Sequence, residues 1–155
     1  MSSLNIAPAT VDDLPAINQI ISDCVMGWNL PDRVKRLSLS SYHYNEDDLA
    51  HQEIFKAVRN DEYDESVVGV VALEAVNQSD SLLHGLYVKP EAQFGGVGKR
   101  LVDHALQRLS DQKRQGMMVK AQPDANAFFD KTGFSRLPVV NQQTDYPHRW
   151  WKEVG

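Results

Sequence analysis

Between Gln93 and Gly98 the chain reads QFGGVG, followed by two cations, Lys99 and Arg100. Glycines leave backbone N–H groups uncovered by side chains. Where such a turn opens a helix, the amides and the helix dipole together make an anion site. The expected ligand therefore carries phosphate. The loop lacks the Lys-Ser/Thr ending of a nucleotide P-loop and the G-x-G-x-x-G spacing of a dinucleotide fold. Other reactive side chains offer less. The five histidines, at 43, 51, 84, 104 and 148, have no recognisable ligand spacing, so no metal is expected. Cys24 falls on an apolar stripe without a visible base, and reads as a packing residue.

The loop must be held by its neighbours. Leu82 to Val88 reads as the strand before it. Val97 to about Gln115 reads as the helix after it, with Val97, Leu101, Ala105 and Leu109 on one stripe and Gly116 at its end. Met117 to Ala121 is the next strand, so the unit is βαβ and its two strands are parallel. Upstream, Leu4 to Ala7 is a short strand. Glu53 to Arg59 and Val67 to Val76 join Leu82 to Val88 through short polar turns, as an antiparallel meander. Asp12 or Asp13 is expected to cap a helix with Pro15 in its first turn and Leu14, Ile17, Ile21, Cys24 and Trp28 on one face. A shorter helix through Val34 and Leu37 follows Pro31, and Ser38 to Asp48 reads as irregular. Ala125 to Thr132 is a short helix, and Phe134 to Val140 and Arg149 to Val154 are the last strands. The fold class is α/β (α+β), a mixed, mostly antiparallel sheet with helices on both faces.

A length of 155 residues suggests one domain. The net charge of -5 gives no electrostatic footprint for nucleic acid. No apolar run approaches the ~20 residues of a membrane span, and MSSLNIAPAT lacks the basic start and apolar centre of a signal peptide. One cysteine rules out an internal disulfide and fits a reducing compartment. The expected location is the cytoplasm.

The run LYVKPEAQFGGVGKRL resembles the acyl-CoA loop of the GNAT superfamily of N-acyltransferases, with Val88, Pro90, Gln93, Gly96 and Gly98 at the matching positions. AQPDANAFFDKTGF, from Ala121 to Phe134, is similar to a second family segment through Phe128, Lys131, Gly133 and Phe134. The order of elements agrees along nearly the whole chain, least between Leu30 and Gln52. The resemblance implies one GNAT domain over 1–155 and transfer of an acetyl group from acetyl-CoA to an amine of a small molecule or peptide. It implies the CoA pyrophosphate on the amides of Phe94, Gly95, Gly96, Val97, Gly98 and Lys99, next to Gln93. The pantetheine arm would lie between the strand bearing Leu86 and Val88 and its splayed parallel neighbour, pairing with backbone as an added strand does. A backbone N–H near Val88 would polarise the carbonyl.

Two positions depart from the family. Phe129 stands where a tyrosine often protonates the departing thiolate, and phenylalanine has no proton to give. Gln122 stands where Asn or Ser is frequent, beside the expected pantetheine path. Tyr87 or Tyr146 could substitute for that tyrosine, although nothing in the sequence places either hydroxyl at the sulfur. Many family members carry Glu four residues before the strand-ending hydrophobic residue; here that residue is His84, and imidazole suits proton transfer near neutral pH. Alternation puts His84 on one side with Leu86 and Val88. Glu74, late in the preceding strand, is the reserve base. By location the acceptor would meet Trp28, Tyr42 and Tyr146, with His43, His148 and Trp150 nearby and Arg33, Arg36 or Arg149 for a carboxylate. Trp28 also sits on the apolar stripe, which favours packing. A second copy of the chain is a further partner to consider. Two other readings remain: a non-catalytic acyl-CoA-binding or regulatory module, favoured by Phe129, and a nucleotide-binding protein.

Overall fold

The computed structural model describes residues 3–61, 63–93 and 95–154. Its elements in chain order are β1 (Ser3–Pro8), α1 (Leu14–Met26), α2 (Asp32–Tyr42), α3 (Glu46–His51), β2 (Glu53–Asn60), β3 (Glu65–Ala75), β4 (Asp80–Val88), α4 (Val97–Asp111), β5 (Gly116–Lys120), α5 (Asn126–Lys131), β6 (Ser135–Arg136) and β7 (Arg149–Glu153). One sheet runs in the order β1-β2-β3-β4-β5-β7-β6. Its pairs are antiparallel except β4 with β5, the two strands joined by α4. The βαβ crossover and the mixed sheet are therefore as the sequence predicts.

Two cores cover the two faces. Val97, Leu101, Val102, Ala105 and Leu109 of α4 pack on one, with Val71, Leu73, Leu83 and Met117 of the sheet and Phe129 and Phe134 from the α5 segment. Ile17, Ile20, Ile21 and Val25 of α1 pack on the other, with Val70, Ala72, Tyr44 and Tyr87. The i, i+3, i+4 spacing of both apolar stripes is what seats the helices.

Several boundaries differ from the sequence expectation, each for a local reason. Ser38 to Asp48 is mostly helical: α2 runs on to Tyr42, and α3 starts from a reciprocal cap in which Asp48 N–H donates to Asn45 Oδ1 (3.0 Å) and Asn45 N–H to Asp48 Oδ2 (2.8 Å). In α2 the apolar Val34 and Leu37 are exposed, while Lys35 is buried and donates to the Met26 carbonyl at 2.7 Å, an orphan acceptor at the end of α1. Ahead of α1, Asp13 Oδ2 accepts from Thr10 N–H at 2.8 Å across a 3-10 turn, Val11–Asp13, so neither aspartate caps α1 with its side chain. α4 stops at Asp111, short of Gln115, because Lys113 turns left-handed (φ 59°) and Arg114 N–H closes on Leu109 O at 2.9 Å. After Phe134 the pairing with β7 spans Ser135–Arg136 and one further bond, Leu137 N–H to Arg149 O at 2.9 Å; Pro138 has no N–H to continue the ladder.

Candidate active site

β4 and β5 stay paired only from Asp80↔Gly116 to Leu83↔Val119. Beyond that point β5 follows β7, with Lys120 opposite Arg149 and Ala121 N–H donating to His148 O at 2.8 Å. β4 follows β3 instead, from Gly85↔Ala72 to Val88↔Gly69. The two strands part and leave a wedge. Lys89 N–H donates to Val68 O at 2.8 Å, toward β3. Alternation then turns the N–H and C=O groups of Val88 and Leu86 away from β3, into the wedge. The Val88 carbonyl already accepts from Gln93 Nε2 and from Cys24 Sγ, both at 3.1 Å. Burial pushes the Cys24 thiol up to about 11, so it is a donor and no nucleophile.

At the open end of the wedge lies the glycine turn. Gly96 holds φ at 83°, a left-handed conformation that costs a β-carbon energy, and α4 begins at the next residue. Val97 is buried in the α4-side core and anchors that start. On the β1–β2 side of the turn is a cleft of about 460 Å³ bordered by Arg59, Gly95, Gly96, Lys99, Arg100 and Asp103. Arg100 Nη2 donates to Leu4 O at 3.1 Å, and Lys99 pairs with Asp103 at 2.9 Å. Arg59 comes from β2, and no spacing in the sequence connects it with the loop. Phe94 lies outside the described residues.

The closed end of the wedge is shaped by a bulge. β4 slips register between Leu83 and Gly85, which face Leu73 and Ala72, so His84 is the extra residue. The slip corrects the alternation expected from sequence. Leu83 joins Leu86 and Val88 on the α4 side, whereas His84 meets Tyr44 on the α1 side. His84 Nδ1 is 3.1 Å from the Tyr44 hydroxyl, and its side chain is exposed. Tyr44 is held by Asn18, which donates to its carbonyl (2.9 Å) and accepts from its N–H (2.8 Å). A β-carbon on Gly85 would overlap the Tyr44 oxygen, so only glycine admits the phenol there. Glu74, opposite Leu82 on β3, is exposed; its neighbours Leu73 and Ala72 turn to the α4 and α1 sides respectively, so alternation puts it on His84's face.

The remaining predicted residues divide. Trp28 and Tyr42 stack edge to face, 5.2 Å between ring centroids, against the α1-side core. His43, next to Tyr42 in sequence, has its Nε2 2.7 Å from Ser22 Oγ. Tyr146 is on the opposite side of the wedge: its hydroxyl donates to Ala121 O at 2.6 Å. Phe129 is buried against Phe128 and Phe134 and contributes shape only. Tyr87 is buried as well, and burial raises its phenol far from any proton-giving range. Gln122 supplies a backbone carbonyl to Ala125 N–H at 2.9 Å, at the turn into α5. Trp150 is buried and donates to Asn126 Oδ1 at 2.9 Å, which leaves it a packing role. Arg149 reaches Pro138 O (2.9 Å) and Asp145 (3.5 Å), so it is committed to its own loop. Among the described residues no cluster of histidine, cysteine and acidic side chains could hold a metal, and no helix is long and apolar enough to cross a membrane.

A family model described as an acetyltransferase (GNAT) domain matches residues 40–146. No curated protein matches significantly. Solved structures of the same fold are numerous. An N-acetyltransferase, PaiA, from Thermoplasma acidophilum, in complex with coenzyme A, superposes with a TM-score of 0.78 at 14% identity, covering 97% of this chain and 99% of that one. An acetyltransferase of the GNAT family from Staphylococcus aureus Mu50 gives 0.74 at 16%, covering 99% and 100%. The ribosomal-protein-S18-alanine N-acetyltransferase from Escherichia coli gives 0.65 at 16%, covering 98% and 94%.

Proposed function

The chain belongs to the GNAT acetyltransferase family, and from that premise we propose that residues 1–155 form a cytoplasmic N-acetyltransferase that moves the acetyl group of acetyl-CoA to an amine of a small molecule or peptide by direct attack. One observation carries this reading: the wedge between β4 and β5, with the Leu86 and Val88 backbone turned into it and a glycine turn at its mouth. That a protein of the same fold holds coenzyme A supports it.

The pyrophosphate is assigned to the amides from Gly95 to Lys99 at the start of α4, with Gln93 bracing the turn through Val88 O. Arg59 and Arg100 add positive charge on the far side of the turn. The pantetheine pairs with Leu86 and Val88 and passes Gln122 and Phe129 on the β5 side. Its thioester then comes to rest near the Leu86 N–H, two residues from the bulged His84. The acceptor approaches from the α1 face past Trp28 and Tyr42, with Tyr146 bordering from the β5 side. The amine nitrogen bonds to the carbonyl carbon, the oxyanion is held by backbone N–H, and collapse expels the CoA thiolate. The amine must shed a proton. The side chains assigned to the chemistry are His84 and Glu74. Water supplies the proton to the thiolate, a tolerable leaving group because a thiol's ordinary pKa is about 8.5.

The experiment is a calorimetric titration with acetyl-CoA and with ATP, followed by a thiol-release assay across small amines, amino acids and peptides. Acetyl-CoA binding with amine-dependent thiol release is expected. Binding without release from any amine supports the non-catalytic module instead, the reading that Phe129 favours, and ATP binding alone removes both.

A further inference from the structure

The two ring nitrogens of His84 are not equivalent. Nδ1 lies 3.1 Å from the Tyr44 hydroxyl, while the rest of the side chain is exposed. Tyr44 is 4% exposed, is clamped at its backbone by Asn18, and has its hydroxyl against Gly85. A buried hydroxyl must donate its hydrogen. Among the described residues, His84 Nδ1 is the acceptor in reach. Burial, with Tyr87 and Asp48 nearby, raises the Tyr44 phenol well above its ordinary range, so the hydroxyl keeps its proton.

An imidazole that accepts at Nδ1 carries its own proton on Nε2. A doubly protonated ring carries one there too. In neither state does Nε2 offer a lone pair to an incoming amine. With Nδ1 accepting from Tyr44, the side chain expected from the sequence to act as base presents a donor instead.

We infer that Tyr44 is a positioning residue that fixes His84 as a hydrogen-bond donor, through Nε2, to the thioester carbonyl oxygen. This deepens the acetyl-transfer reading and rests on it. His84 is the bulged residue itself and lies two residues from Leu86, whose N–H enters the wedge. A backbone donor and a side-chain donor thus flank one carbonyl. As the amine's C–N bond forms, the carbonyl electron pair moves to oxygen and is held by both donors. The pair returns as the C–S bond breaks, and the amine's proton goes to water, directly or by way of Glu74. His84 gives up no proton at any stage. A neutral imidazole used in this way stabilises charge without the cost of its own ionisation.

The test compares three variants of the full chain. His84→Gln keeps an N–H donor and removes all basicity, whereas His84→Ala removes both. With acetyl-CoA and an active amine, H84A is expected to lower kcat about 100-fold, and H84Q to recover most of that loss. Tyr44→Phe should lower kcat several-fold with the KM for acetyl-CoA unchanged. In ¹⁵N-histidine-labelled protein, His84 should show a protonated Nε2 and an accepting Nδ1, and Y44F should show a mixture of tautomers. The inference is overturned if H84Q is as slow as H84A, or if wild-type Nε2 is the unprotonated nitrogen. If no amine is acetylated at all, the acetyl-transfer reading falls, and the nitrogen spectrum still decides the tautomer.

Discussion

A single methyl group at Gly85 would have to share space with the Tyr44 oxygen and would lie 2.8 Å from Tyr87 Cε2. Gly85→Ala is expected to cost about 1–3 kcal/mol, the usual range for overpacking a filled core, readable as a lower urea midpoint at unchanged slope. It should also lower kcat, because the phenol it displaces is the one that orients His84. This contact had no signature in the sequence. Tyr44 and His84 are 40 residues apart, and meet only because the turn between α2 and α3 is folded onto the α1 side of β4. Phe129 was legible as a departure from the family. Its burial against Phe128 and Phe134 gives the departure a physical meaning: the side chain there fills space and has no proton to give. Arg59 was invisible for the reason Tyr44 was: its strand is brought to the loop by the sheet, not by the chain.

At the level of elements, the glycine turn and the strand before it were the readable parts, because their signals are local. The turn needs a left-handed residue where α4 begins, and Gly96 takes that conformation. Gly96→Ala is expected to cost about 1–2 kcal/mol of backbone strain and to weaken acetyl-CoA binding by calorimetry more than it weakens any acceptor's KM. The bulge in β4 was not readable. Period-two counting through His84 fails there by one residue, and every side assignment upstream of it inverts. The α3 helix could have been found from Asn45 and Asp48, a reciprocal cap three residues apart. Its shortness, six residues, and its polar content hid it. Asn45→Ala should cost about 0.5–2 kcal/mol, and because Tyr44 precedes the cap, it should also loosen the tyrosine, seen as broadening of the His84 ring signals.

Over the whole molecule, the order of strands and helices was readable because one crossover helix fixes the parallel pair and short turns fix the meander. The wedge was not, since it depends on β4 and β5 choosing different partners after Leu83 and Val119. Acid stability is a property at this scale. Burial alone would raise the carboxyls of Asp13 and Glu53. Hydrogen bonds from Thr10 and Lys56 hold Asp13 below its ordinary value, and hydrogen bonds from Arg108 and Gln112 do the same for Glu53. A lowered folded-state pKa means that the stabilisation is complete above the unfolded value, about 4, and is lost as pH falls through the folded value. Urea midpoints should thus begin to decline as pH falls below about 6.5, where burial lowers the His104 pKa and the unfolded chain takes up the proton first, and should fall further below about 4; Asp13→Asn should reduce that acid-side slope. Ligand binding acts at the same scale: saturating acetyl-CoA at about 100 times Kd should add roughly 2.7 kcal/mol to unfolding.

The central claim is that the acetyl group passes from CoA to an amine without resting on the protein. Acetyl-CoA labelled with ¹³C in the acetyl group, mixed with the chain and an amine panel and followed by mass spectrometry, tests it in one measurement. The label is expected on an amine nitrogen, with one free CoA thiol for each amide formed and none of the label on Cys24 or any other residue. Label retained on acetyl-CoA with every amine, or trapped on the protein, would contradict it.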